Sequence, residues 1–202
     1  GMHRLWKKRF VEIMDIKKND IILDVGSGSG DIAFEILKEK LPTSLYLLDL
    51  NEEMLAEGKK RLNKQQNVKY YIGNAEKLNF ENNYFDKYAI SFCLRNVTEY
   101  LLSLKEAYRV LKPGGKYCCL EFSTPKSSLI SSSYQIYKSK ILPLLGEIVA
   151  KDKNAYKYLS ESIDLFPSQE ELSKNIRDCG FINVETVNLF NGIVAIHTGY
   201  KL

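Results

Sequence analysis

Residues 20–31, DIILDVGSGSGD, decide the fold of this chain, because an apolar run ends there in a loop of alternating glycine and serine. The apolar run predicts a buried strand, and the pattern after Asp31 predicts a helix. Glycines at a strand-to-helix junction let a ligand approach the backbone, and the helix N-terminus offers free N–H groups. A purely structural turn can also use these glycines, so the loop alone only suggests a nucleotide-like ligand. Its candidate binding residues are Asp24, Gly26, Gly28, Ser29 and Gly30.

Outward from this loop, short strand-like runs alternate with longer helical runs, which predicts βα units and a largely parallel sheet. We predict strands over 20–26, 44–50, 68–73, 86–93 and 116–122, and helices over 31–40, 51–65, 98–111 and 168–179. Two final strands, over 184–190 and 192–200, are separated by Asn191-Gly192, a hairpin signal that makes the last strand antiparallel. The predicted fold is α/β, a Rossmann-like sheet of seven strands with helices on both faces, in a single domain over residues 1–202.

The segment over residues 127–159 interrupts this rhythm, because it contains no strand-like run and is rich in lysine and tyrosine. We predict that it forms a helical insertion, or substrate cap, after strand five. Its basic and aromatic surface would suit an anionic membrane, although a solvated face would have the same composition.

Composition excludes several classes of protein. The chain has 202 residues and a formal net charge of +4, which is too small to indicate a nucleic-acid partner. Its four cysteines lie in apolar segments without metal-ligand spacing, so we expect reduced thiols and no metal. No apolar run reaches the roughly 18 to 20 residues that cross a bilayer. Because the chain starts abruptly within a helical pattern, we expect natural N-terminal sequence, with any targeting signal, to precede it.

Asp49 ends the second predicted strand, about twenty residues after the glycines, where a carboxylate can accept hydrogen bonds from both ribose hydroxyls. Its structural alternative is to cap the next helix, a role for which Asn51 is better placed. A dinucleotide oxidoreductase would show G-x-G-x-x-G and a continuing parallel sheet. The pattern D-x-G-x-G-x-G and the terminal hairpin instead resemble class I S-adenosylmethionine (AdoMet)-dependent methyltransferases. That resemblance implies AdoMet as the cofactor and Met54 packed on adenine, although a helical Met is more often core.

Several strings resemble one family, the ubiquinone/menaquinone biosynthesis C-methyltransferases, which methylate a ring carbon of a polyprenylated quinol. These strings are HRLWK (3–7), GNAE (73–76), LRNVT (94–98), RVLKPGG (109–115), LEFS (120–123), LLGEIVA (144–150), YLSESI (158–163), FPSQEE (166–171) and GIVAIHTGYKL (192–202). GDIAF, CLEFS and FPSQEE look closer to the mitochondrial ubiquinone branch, which implies a 2-methoxy-6-polyprenyl-1,4-benzoquinol substrate. The implied setting is the matrix side of the mitochondrial inner membrane, with peripheral association, or alternatively the bacterial inner membrane. Other quinone-biosynthesis proteins and a homodimer are the implied protein partners.

The resemblance also implies roles for individual residues in holding AdoMet. Ser29 and Asp49 would contact the cofactor, Asn74 and Ala75 would flank adenine, and Ser91 would close the pocket. Leu50, directly after Asp49, joins this set. Three positions depart from the family pattern: Ser29 stands where threonine is usual, Asn74 where aspartate is frequent, and Cys93 where glycine is usual.

Methylation of a ring carbon requires an in-line nucleophilic carbon whose electron density rises when a neighbouring hydroxyl ionises. We predict that Arg95 stabilises that phenolate, that Asn96 orients it, and that an ordered water near Arg95 accepts its proton. His197 and Glu121 are further candidates for the proton acceptor. Each prediction has a structural alternative, helix capping for Arg95 and Asn96, and hydrogen-bonded anchoring for His197 and Glu121.

Three other functions stay open at this point: a demethylmenaquinol methyltransferase, a methyltransferase of a soluble small molecule, and a non-catalytic subunit of a quinone-synthesis complex. The first two would share every AdoMet feature. The intact glycine loop and Asp49 argue against the third.

Overall fold

The computed structural model describes residues 2–39, 43–123 and 153–202, so most of the predicted insertion lies outside the described residues. The helices are α1 (Met2–Met14), α2 (Asp31–Lys38), α3 (Glu52–Arg61), α4 (Tyr100–Val110), α5 (Lys153–Leu165) and α6 (Gln169–Asp178). The strands are β1 (Ile21–Val25), β2 (Ser44–Asp49), β3 (Val68–Ile72), β4 (Phe85–Ser91), β5 (Leu111–Phe122), β6 (Ile182–Leu189) and β7 (Val194–Tyr200). A single 3₁₀ turn, Leu94–Asn96, follows β4.

All seven strands form one sheet in the order β3-β2-β1-β4-β5-β7-β6. Strands β1 to β5 run parallel, whereas β7 is antiparallel to both β5 and β6. The predicted seven-stranded α/β fold with an antiparallel last strand is therefore confirmed. The chain order reverses between β1 and β4, and in open sheets of this kind ligands bind beyond the carboxyl ends of the strands at such a reversal.

Two apolar cores cover the two faces of the sheet. One contains Trp6, Phe10 and Met14 of α1 and includes Cys118, whereas the other contains residues of α4 and α6 and includes Cys119. The two neighbouring thiols therefore point to opposite faces, as strand geometry predicts. Both are fully buried and free of disulfide bonds. Within the described residues, no helix is both long and apolar enough to span a bilayer.

The structure corrects two predicted boundaries. Strand β5 begins at Leu111, which pairs with Phe85, and not at Lys116; residues 112–115 form an irregularity in register, with Gly114 at φ +79°. Gly114 also donates its N–H to the Lys201 carbonyl, so this turn of Pro and Gly stays attached to the sheet. The hairpin connection is longer than Asn191-Gly192, because β6 ends at Leu189 and β7 begins at Val194.

Candidate cofactor and substrate site

A cavity of about 360 Å³ lies beyond the carboxyl ends of β1 to β4, a volume typical of small-molecule sites. Of the predicted site residues, it is lined by Gly26, Asp49, Leu50, Asn74, Ala75 and Asn96. Its other walls are Val25, Leu48, Gly73, Glu76, Phe92, Cys93, Val97 and Thr98. Six predicted residues from four separate loops thus meet at the edge of the sheet where the strand order reverses.

Gly26 is required where the first strand enters the loop. Its φ is +63°, and a Cβ built there would lie 2.2 Å from Cys93 Sγ. Cys93 therefore fills the space above the glycine and shapes the cavity floor. Burial raises the pKa of the Cys93 thiol to about 12, so the group is a neutral packing side chain near neutral pH.

Asp49 holds the glycine loop and the start of α3 together. Its Oδ2 accepts the Gly28 N–H at 2.7 Å, and its Oδ1 accepts the Asn51 N–H at 2.8 Å. The cap of α3 is Asn51, whose side chain accepts the Met54 N–H at 3.1 Å, as predicted. Met54 is partly exposed, and its methyl would lie 3.4 Å from a Cβ at Gly28, so its side chain lies over the loop.

Asp24 is a fully buried carboxyl group at the base of the loop. Burial, assisted by the charge of Asp49, raises its pKa to about 8, while Lys7 opposes that shift. Neither carboxylate oxygen has a hydrogen-bond partner in the part of the chain that the structure describes. A buried acid without a partner beside a cavity lined by Asp49 and Glu76 suits a cationic ligand.

Residues 73–76 form the wall on the β3 side. Asn74 Oδ1 accepts the Glu76 N–H at 2.9 Å, which closes a tight turn. Glu76 Oε1 in turn accepts the Glu99 N–H at 2.8 Å, which ties this wall to the start of α4. Glu76 belongs to the GNAE string, but the sequence alone indicated no role for it.

A second cavity of about 390 Å³ adjoins the first and shares Val97 and Thr98 with it. Arg95 lines this second cavity, together with residues of α5 and the segment after it. The side chains in this second set are Tyr158, Glu161, Ser162, Leu165, Phe166 and Pro167. The 3₁₀ turn after β4 therefore lies where the two cavities adjoin, and it contributes Asn96 to the first and Arg95 to the second.

Arg95 and Glu121 form a buried ion pair. Arg95 Nη1 donates to Glu121 Oε1 at 2.9 Å and to the Phe92 carbonyl at 2.7 Å, and the two charged side chains are 11% and 2% exposed. Glu121 also accepts the backbone N–H groups of Arg95 and Phe122. Burial raises the pKa of Glu121, and the Arg95 charge opposes that rise. Within the described residues Arg95 Nε has no acceptor, so the guanidinium keeps an unused buried donor.

Eight predicted residues line neither cavity: Asp24, Gly28, Ser29, Gly30, Met54, Ser91, Glu121 and His197. Ser91 ends β4, but the wall expected from it is built by Phe92 and Cys93, because Phe92 takes a left-handed backbone (φ +52°) and turns the chain. His197 Nε2 donates to the Gln169 carbonyl of α6 at 3.2 Å, and burial lowers its pKa to about 4. A neutral histidine that is hydrogen-bonded to α6 fits the role of an anchor, which was the alternative to a role as proton acceptor. Gly28, Ser29 and Gly30 lie beside the first cavity, in the loop that precedes α2, without lining it.

Comparison with known proteins identifies relatives along the whole chain. A sequence profile described as the ubiE/COQ5 methyltransferase family matches residues 1–201. The chain is 50% identical over 210 aligned residues to a protein from Rickettsia bellii named "Ubiquinone/menaquinone biosynthesis C-methyltransferase UbiE"; the alignment covers 100% of this chain and 84% of that protein. A protein of the same name from Rickettsia prowazekii is 49% identical, with the same coverage.

Solved structures with the same fold are more distant in sequence. A SAM-dependent methyltransferase from Aquifex aeolicus superposes with a TM-score of 0.71 at 18% identity, covering 98% of this chain and 93% of that one. A phosphoethanolamine N-methyltransferase from Haemonchus contortus, solved with S-adenosyl-L-methionine, superposes with a TM-score of 0.73 at 19% identity, covering 96% of this chain and 52% of that one. At these identities the likeness concerns the fold.

Proposed function

This chain belongs to the ubiE/COQ5 methyltransferase family of AdoMet-dependent C-methyltransferases, and on that premise we propose that it methylates a ring carbon of a polyprenylated quinol. Within that class we propose the 2-methoxy-6-polyprenyl-1,4-benzoquinol of ubiquinone biosynthesis as the substrate. Demethylmenaquinol is the second candidate, because the Rickettsia relatives are named for both ubiquinone and menaquinone biosynthesis.

The observation that supports this proposal most is the pair of adjoining cavities on either side of Arg95 and Asn96. The first has the acidic wall that a sulfonium and an ammonium group require, from Asp49 and Glu76 with Asp24 behind the loop. The second combines the apolar side chains Leu165, Phe166 and Pro167 with polar groups that include Glu161, and it contains the Arg95 guanidinium. This combination would suit a prenylated ring with an ionisable hydroxyl. Bound AdoMet would supply an activated methyl group between them.

In the proposed reaction, Asp49 would accept hydrogen bonds from the ribose hydroxyls of AdoMet, and the loop that contains Gly26 and Gly28 would hold its methionine part. Arg95 stabilises the ring oxygen as it becomes a phenolate, and Asn96 donates a hydrogen bond that orients it. Glu121 holds the guanidinium in position, since its carboxylate already accepts three N–H groups. An ordered water beside Arg95 accepts the phenolic proton and passes it to solvent.

Turnover of AdoMet with short-tailed demethylated quinols of both ring types tests the proposal. We expect methylated benzoquinol as the main product. Asp49→Ala should weaken AdoMet binding at least about tenfold, because hydrogen bonds to a charged group contribute about 1.5 to 3 kcal/mol each. The matched control, Asp178→Ala, removes an exposed acid paired with Lys174 and should leave the affinity unchanged. Unchanged affinity in Asp49→Ala would refute the cofactor assignment. AdoMet binding without turnover of either quinol would favour a soluble substrate.

We also propose peripheral association with the membrane that contains the quinol, the mitochondrial inner membrane or its bacterial counterpart. Leu165 is 87% exposed at the rim of the second cavity, which suits contact with acyl chains. The predicted basic residues Lys138, Lys140, Lys151 and Lys153 belong to the insertion, most of which lies outside the described residues. Neutralising them should weaken binding to anionic liposomes by roughly 1 kcal/mol per charge, in a salt-dependent way. If the unmodified protein and the neutralised variant bind anionic liposomes equally, the lysines only form a solvent-exposed face.

A further inference from the structure

Tyr158 of α5 forms a hydrogen bond at the place where the two cavities adjoin. Its hydroxyl donates to Asn96 Oδ1 at 3.2 Å. Asn96 lines the first cavity, whereas Tyr158 lines the second. The bond therefore connects α5, which begins within the predicted insertion, to the side chain that we place beside the reacting ring.

We propose that Tyr158 is a positioning residue that orients the Asn96 amide toward the substrate's ring oxygen, an inference that rests on the proposed function. An asparagine side chain has one acceptor end and one donor end. Because the Tyr158 hydroxyl occupies Oδ1, the free end of the amide is Nδ2, which can only donate. A donor is what an oxygen that gains negative charge requires.

The position of Tyr158 is fixed by its own helix. The adjacent Leu159 and the nearby Ile163 are 7% and 4% exposed and belong to the apolar core that also contains Trp6 and Phe122. Tyr158 itself is 58% exposed, so its ring contributes little to that core. Removing only the hydroxyl should therefore disturb the orientation of Asn96 and leave the packing of α5 intact.

A double-mutant cycle tests this coupling. Tyr158→Phe, Asn96→Ala and the double variant are compared with the unmodified protein, using AdoMet and a short-tailed demethylated benzoquinol. We expect Tyr158→Phe to lower kcat by about three- to tenfold, the effect of one neutral hydrogen bond. The KM for AdoMet and the melting temperature should stay close to those of the unmodified protein. The double variant should be no slower than Asn96→Ala alone, because the hydroxyl acts only through the amide.

Tyr84→Phe is the matched control. It also removes one phenolic hydroxyl, from a hydrogen bond of 2.7 Å to Tyr46. Tyr84 directly precedes β4, so it lies at the amino ends of the parallel strands, whereas both cavities lie beyond their carboxyl ends. We expect its kcat to equal that of the unmodified protein. A Tyr158→Phe variant with unchanged kcat, or additive losses in the double variant, would overturn the proposed positioning role while leaving the proposed function intact. If the unmodified protein fails to methylate the quinol, the proposed function falls and this inference falls with it.

Discussion

Replacement of Arg95 by methionine separates the structural role of the Arg95–Glu121 pair from its chemical role. Methionine keeps much of the apolar stem but removes the charge that neutralises Glu121, which is 2% exposed. Breaking a buried ion pair on one side typically costs about 3 to 5 kcal/mol, because the remaining charge is left without a partner. In a chain of this size that loss corresponds to a fall in melting temperature of roughly 10 °C.

The loss should depend on pH in a defined direction. Without Arg95, the pKa of Glu121 rises further above its unfolded value, so the folded variant binds a proton that the unfolded chain has released. Stability of the variant must then fall as pH rises through the interval between these two pKa values. We expect the destabilisation relative to the unmodified protein, measured by urea denaturation, to grow as pH rises above 4.5, the ordinary pKa of a glutamate.

Two further variants complete the test. Arg95→Met combined with Glu121→Gln removes the unpaired charge and should recover most of the stability, but turnover should stay about a hundredfold low, because one electrostatic donor at the reacting oxygen is still missing. Lys174→Met breaks the exposed pair with Asp178 and should leave the free energy of unfolding almost unchanged, because exposed ion pairs contribute little. The reasoning is refuted if Arg95→Met is no less stable than Lys174→Met, or if the double variant regains full turnover.

Three other predictions concern buried groups near the site. Asp24→Asn should stabilise the ligand-free protein increasingly as pH rises from about 4 to 8, by at most roughly 1.4 kcal/mol per pH unit. The reason is that the raised pKa of Asp24 makes the unmodified protein release a proton on unfolding. If Asp24 were ionised in the folded protein, the stability difference between variant and unmodified protein, measured by urea denaturation, would not change with pH. The unmodified protein should lose stability as pH falls from 6.5 to about 4, because the unfolded chain protonates His197 while the folded protein does not. His197→Gln should remove this loss and keep turnover. A collapse of turnover in this variant would show that His197 is the proton acceptor. Gly26→Ala should weaken AdoMet binding measured by calorimetry, and Cys93→Gly should rescue it only in part, because the clash is relieved while the strain at φ +63° persists; full rescue would show that the clash alone matters.

The fold was predictable because its signals are local and repeated. Alternation of apolar runs predicted every strand of the parallel sheet, and the Asn-Gly sequence before the last strand predicted its antiparallel direction. The predicted strand boundaries were wrong where pairing between strands overrides the local preference for a loop. At residues 111–115, proline and two glycines predict a loop, yet Leu111 pairs with Phe85 and the irregular segment stays part of β5.

The sequence predicted the site residues correctly only where a residue lies at the carboxyl end of a strand. Asp49 and the GNAE string follow their strands directly, so the geometry of parallel sheets brings them to one edge. The family resemblance implied Ser91, but the left-handed backbone of Phe92 displaces the wall, and no sequence pattern indicates a positive φ at phenylalanine. The Arg95–Glu121 pair joins the 3₁₀ turn after β4 to strand β5, and sequence spacing does not indicate that these two distant positions meet in the interior.

The measurement that tests the central claim most directly is the position of the transferred methyl group. AdoMet carrying a deuterated methyl would be incubated with the unmodified protein and demethylated benzoquinol, and the product would be examined by mass spectrometry and NMR. The account predicts one labelled methyl on a ring carbon adjacent to a ring hydroxyl. A labelled methyl on a ring oxygen, or no labelled product from protein that binds AdoMet, would contradict it.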